Sequence, residues 1–205
     1  MSAIFLSASV PIVGRGTFHE GADPFLIQYA VRELLLAALG RRLIVWGGHP
    51  AITPMVWAVC EDLNTAFADS VVLYQSAFFA EYYPGENEHF GNVVLVEAVK
   101  GDKALSLARM RERMLSRTDI SAGVFIGGME GVLDEYAMLK RFHPDSNVIA
   151  VAAPGGAARR LAEELGVQSH AELDDVDFAA LFHSRLGIEP NTPRRSLRGA
   201  EDDKQ

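Results

Sequence analysis

Cysteine is almost missing from this chain: Cys60 is the only one in 205 residues. That excludes a disulfide scaffold and a metal cluster built on thiolates. Long apolar runs are missing too, since none approaches the ~20 residues that a bilayer crossing needs. The opening MSAIFLSASVP has no basic segment and is too short for a signal peptide. Positive charge is in deficit, with 19 Lys and Arg against 27 Asp and Glu, a net charge of −8 and a pI near 5.2. This argues against the broad phosphate-neutralising surface of a nucleic-acid binder but leaves room for one small basic pocket. Four patterns do not occur: GxGxxG, GxxxxGK[ST], GxSxG and HExxH. A standard dinucleotide fold, a P-loop, a serine-hydrolase elbow and a zincin site are therefore unsupported. The expectation is a soluble, cytoplasmic protein with no membrane or nucleic-acid partner, no metal site and no resident cofactor.

What is present is an ordinary globular composition, 49% hydrophobic and 22% charged, on a chain long enough to bury more than half of its unfolded surface. Continuous apolar runs alternate with amphipathic stretches of helical length. The runs begin at Ala3, Leu43, Val71, Val93, Gly123 and Val148. Asp23-Pro24 reads as an N-cap and first helical residue, and Gly40 as a helix stop. Helices are expected over roughly 51–67, from Asp102 to Arg117, around Val132 to Leu139, up to Leu165, and near 175–186. Unalternated strands separated by helices imply a parallel sheet covered on both faces, a Rossmann-like, doubly wound α/β fold. Residues 1–187 form one domain on this reading. Residues 188–205, rich in Pro, Arg, Asp and Lys, are expected to be a disordered tail.

In such sheets ligands bind beyond the carboxyl ends of the strands, and the unusual residues of this chain fall there. The loops are Ser7 to Gly16, Gly47-Gly48-His49, Gly127-Gly128-Met129-Glu130-Gly131 and Pro154-Gly155-Gly156. Glycines permit close approach of the backbone to a phosphate, and a following helix N-terminus offers free N–H groups. Ser7 and Ser9 can hydrogen-bond ligand oxygens or serve the turn. Arg15 is the candidate phosphate-neutralising cation of the first loop, with a flexible surface arginine as the alternative, and His49 a candidate donor or a turn residue. Glu130 reads as a solvated helix-start acid or a ligand contact. Phe78, Phe79, Tyr82 and Tyr83 have the spacing of core or interface residues, with stacking on a base as the alternative. Met110 and Met114, one helical turn apart, are expected to face the core.

The strand Gly123–Ile126, the glycines Gly127, Gly128 and Gly131, and Glu135 four residues later resemble the SLOG superfamily, and within it the LOG or lysine-decarboxylase-like proteins. Ile4-Phe-Leu-Ser-Ala-Ser, Ile44-Val-Trp-Gly-Gly-His and the Arg-Met-Arg-Glu-Arg-Met run from Arg109 to Met114 extend the resemblance over most of residues 3–165. It implies a nucleotide-derived ligand, a homodimer, and in the LOG branch hydrolysis of the N-glycosidic bond of a nucleoside monophosphate. It assigns charge stabilisation in that cleavage to Glu135. It also assigns a ligand-binding arginine to one of Arg109, Arg111 and Arg113, of which Arg111, next to the methionine stripe, is the choice. Three departures separate this chain from the enzyme signature. Ile126 stands in place of proline, one extra residue lies between Gly128 and Gly131, and Val132 replaces threonine. These departures are more like the SLOG branches that sense nucleotide-derived signals.

Overall fold

A computed structural model describes residues 2–196. Six strands, β1 (Ala3–Ser9), β2 (Leu43–Trp46), β3 (Val71–Ser76), β4 (Asn92–Val96), β5 (Ile120–Gly127) and β6 (Asn147–Val151), form one sheet in the order β4-β3-β2-β1-β5-β6. Every pairing is parallel. The chain steps outward from β1 to β4, then crosses back to place β5 on the other side of β1. The crossover directions therefore diverge at β1, where a doubly wound sheet opens a crevice.

Helices α1 (Pro24–Ala38), α2 (Thr53–Leu63) and α7 (Phe178–Leu186) cover one face, burying Ile27, Leu34, Val56, Phe178 and Phe182 against Ile4, Ile44 and Leu73. Helices α3 (Lys103–Leu115), α4 (Glu130–Phe142) and α5 (Gly156–Glu164) cover the other. There Met110, Met114, Leu139 and Leu161 pack on Phe5, Val45 and Phe125. A one-turn helix, α6 (His170–Leu173), joins α5 to α7. Both faces are covered, so the central strands hold almost no polar residues until their carboxyl ends. Asp23 caps α1 through bonds from Phe25 N and Leu26 N, with Pro24 at the first turn. The helix expected over 51–67 ends at Leu63, where Asn64 starts a separate 3₁₀ turn over Thr65–Ser70. Among the described residues no helix is long and apolar enough to cross a membrane.

Of the segment expected to be a tail, residues 197–205 lie outside the described residues. Residues 188–196 run back along the C-terminus of α1. Ile188 is buried. Arg194 donates to the carbonyls of Leu36 and Leu39. Arg195 N–H donates to Gly40 O at 2.7 Å, and Arg41 donates to Pro190 O and Thr192 O. A polar composition masked these contacts, because backbone carbonyls at a helix end need donors rather than apolar partners.

Candidate functional site

The carboxyl ends of β1, β2 and β3, together with α3 and the start of α4, enclose a cleft of about 720 Å³, within the range of small-molecule sites. Its charged wall is built from three elements. Ser7 sits near the end of β1 and is buried; its hydroxyl donates to Glu135 Oε2 at 2.6 Å. Arg111 reaches over from α3 and donates through Nε to Glu135 Oε1 at 2.9 Å and through Nη1 to Asp134 at 3.4 Å. Only 18% of the Arg111 side chain and 16% of that of Glu135 are exposed, so both are held with little solvent screening. Gly131 and Glu135 lie one helical turn apart and share the cleft face of α4. A Cβ on Gly131 would come within 2.6 Å of Arg111 Nη2. The third glycine of the loop is thus the space in which the guanidinium lies. Arg109 and Arg113 point to solvent.

The opposite half is of another kind. After β2, Gly47, Gly48 and His49 line the cleft. His49 Nδ1 accepts from Ala51 N–H at 3.2 Å, which leaves the proton on Nε2 and makes that nitrogen a donor. Burial holds the imidazole pKa below its ordinary value, so the ring is neutral at pH 7. His49 N–H donates to Thr53 Oγ1, so Thr53 is engaged in closing this turn. β3 ends in Gln75 and Ser76, and a kinked 3₁₀ segment carrying Phe78, Phe79 and Tyr82 follows, with Tyr83 just after it. All four line the cleft and none is buried, which corrects the core part of their core-or-interface reading. Lys103, at the start of α3, places Nζ 5.7 Å from the Phe79 ring centre. Arg15 reaches the cleft from an exposed loop.

Three expected site residues are not on the cleft wall. Glu130 is exposed at the start of α4, where an acid favours the helix dipole. Gly127 and Gly128 are buried beneath the loop. Gly128 N–H donates to Ser9 O at 2.8 Å, and its carbonyl accepts from Ala157 N–H at 2.9 Å. With φ at +74° and Val132 Cγ2 2.2 Å from a notional Cβ, Gly128 has a structural reason to lack a side chain. Its amide is already bonded and offers nothing to a phosphate. Ser9 itself lines the cleft.

The profile of one protein family, the SLOG cluster3 family, matches residues 17–186. The chain belongs to that family. The match begins after β1, so Ser7, Ser9 and Arg15 stand outside it. This SLOG cluster3 chain is also similar to the X-ray structure of TM1055, a Northeast Structural Genomics Consortium target. The TM-score is 0.50 and the identity 16%, over 80% of this chain and 81% of that one; at that identity the likeness is one of fold. No curated protein matches the chain.

Sequence reasoning missed Trp46, Gln75, Ser76 and Lys103 on the wall of this SLOG cluster3 cleft. Trp46 is buried and its indole N–H has no acceptor among the described residues. Gln75 had a readable signal: it is the polar residue that interrupts the apolar run Val71–Tyr74 at a carboxyl end. Cys60 is no nucleophile here, because burial and Glu61 push its thiol up to about 12. No three His, Cys, Asp or Glu side chains among the described residues come together to hold a metal ion.

Proposed function

We propose that this protein binds a nucleotide-derived anion in the cleft. The observation that carries the reading is the coexistence, in one cavity at the strand carboxyl ends, of the Ser7–Glu135–Arg111 cluster and a four-residue aromatic wall. The cavity side chains Arg15, Lys103 and Arg111 outnumber the single acid Glu135, so the cleft is electropositive in a chain of net charge −8. That favours an anion, and aromatic faces accept a base of any kind. Arg15 and the ring Nε2–H of His49 meet the phosphate-bearing part; the Glu135 carboxylate meets ribose.

A second reading, hydrolysis of the N-glycosidic bond, is favoured by the state of Glu135. Both its oxygens are held by fixed donors, which aims a preorganised charge at a developing oxocarbenium ion. The measurement is thermal shift with nucleoside mono- and diphosphates and ADP-ribose, together with chromatography for released base. Ligand at about 100 times Kd stabilises by about 2.7 kcal/mol, a rise in Tm of roughly 5–10 °C at this chain length. Absence of any shift would overturn the reading. If base is released, Glu135→Gln should lower the rate by roughly 10²-fold with little change in affinity. If none is released, the same variant should lose about 1–3 kcal/mol of binding.

A further inference from the structure

We infer that Gln75 selects the base, favouring one that carries an exocyclic amine, of the adenine or cytosine type, over its oxo counterpart. The inference rests on the reading of the cleft as a nucleotide site. Gln75 lies at the carboxyl end of β3, just before the aromatic segment, and is 93% buried, its relative exposure being 7%. Such a carboxamide has one acceptor and two N–H donors, and the side chain is tethered by its nitrogen. Nε2 donates to Gly47 O at 3.4 Å. The carboxamide also lies against Gly48, whose notional Cβ would sit 2.0 Å from Nε2 and 3.2 Å from Cδ. Gly48 therefore serves as the slot for this side chain.

The tether fixes the sense of the amide. A carbonyl can only accept, so the nitrogen faces Gly47 and Oε1 faces the other way. Oε1 has no partner among the described residues, and it is not sealed in the core as the Trp46 N–H is. On a side chain that lines the same cleft as Phe78 and Phe79, this leaves one unpaired acceptor. An amino group donates to such an acceptor. A ring oxo group meets it lone pair to lone pair and leaves it unpaired, which is how a hydrogen-bonding site rejects an analogue.

The test is titration calorimetry of the full chain with nucleotide pairs alike in ribose and phosphate: adenosine against inosine monophosphate, cytidine against uridine monophosphate, and the matching diphosphates. The expected result is binding of the amino member about tenfold or more tighter than the oxo member. Gln75→Leu should remove that preference. Gln75→Glu, which cannot donate to Gly47 O, loses the tether that aims the acceptor and should lose most of the preference while weakening all the anions alike. Equal affinity for both members, or a preference that survives Gln75→Leu, would overturn the inference and leave the nucleotide reading standing. Failure of every nucleotide to bind wild-type protein would overturn both. Circular dichroism of the two variants checks that each retains the fold.

Discussion

Where β1 and β5 end, Ser7 and Arg111 both donate to Glu135 and the glycines beneath them are packed against α4 and α5. Where β2 and β3 end, Phe78, Phe79 and Tyr82 lie on a kinked 3₁₀ turn, the two phenylalanines half-buried and Tyr82 71% exposed. One half of the cleft is finished before any ligand arrives; the other has contacts still to make. Preorganised charge costs no reorganisation when a ligand binds, while unpaired aromatic surface lowers the free energy only when it is covered. Substitutions in the first half should therefore move stability together with binding, and those in the second should move binding alone.

The largest expected effect tests the finished half. Gly128→Val combines a left-handed backbone with a clash at 2.2 Å against Val132. Strain and overpacking together should cost about 2–6 kcal/mol of stability, read as a lower urea midpoint in the absence of ligand. A variant of unchanged midpoint with lost nucleotide affinity would place Gly128 at the ligand and break the comparison. Tyr82→Ala tests the open half. Affinity should fall by about 1–3 kcal/mol through lost stacking, while the Tm without ligand stays within about 2 °C. A large fall in that Tm would show that the aromatic segment is structural.

The smallest effect belongs to His49. Its folded pKa lies below the ordinary 6.5 because burial disfavours the charged ring. Above 6.5 both folded and unfolded states are neutral there and the stabilisation is fully present. As pH falls below 6.5 the unfolded chain takes up the proton first, and stability is lost until the folded pKa is passed. Melting between pH 7.5 and 5 should therefore decline more steeply in wild type than in His49→Gln. Equal slopes would mean that His49 titrates alike in both states.

The same division explains what could be read in the sequence. The α/β class, the capped start of α1 and the inward methionines of α3 depend on local periodicity and capping signals, and each is in the structure; Arg111 and Glu135 are singled out by the family resemblance alone, and their bond to each other is visible only in the structure. That Gln75 meets Gly47 and Gly48 depends on which strand lies beside β2, which no local pattern encodes. Gly127 and Gly128 read as a phosphate cradle because glycine pairs serve ligands and tight packing alike; only the neighbours Ser9, Val132 and Ala157 decide between them.

The strap formed by residues 188–196 bears on the order in which the molecule can be completed. The carbonyls that end α1 are met by Arg194, 155 and 158 residues further along the chain. At a synthesis rate of ~5–20 residues per second, the first helix leaves the ribosome roughly ten to thirty seconds before the arginine that closes it. A chain cut short of Arg194 would keep every strand and every cleft residue described above, yet the carbonyls of Leu36 and Leu39 would lose the donor that meets them.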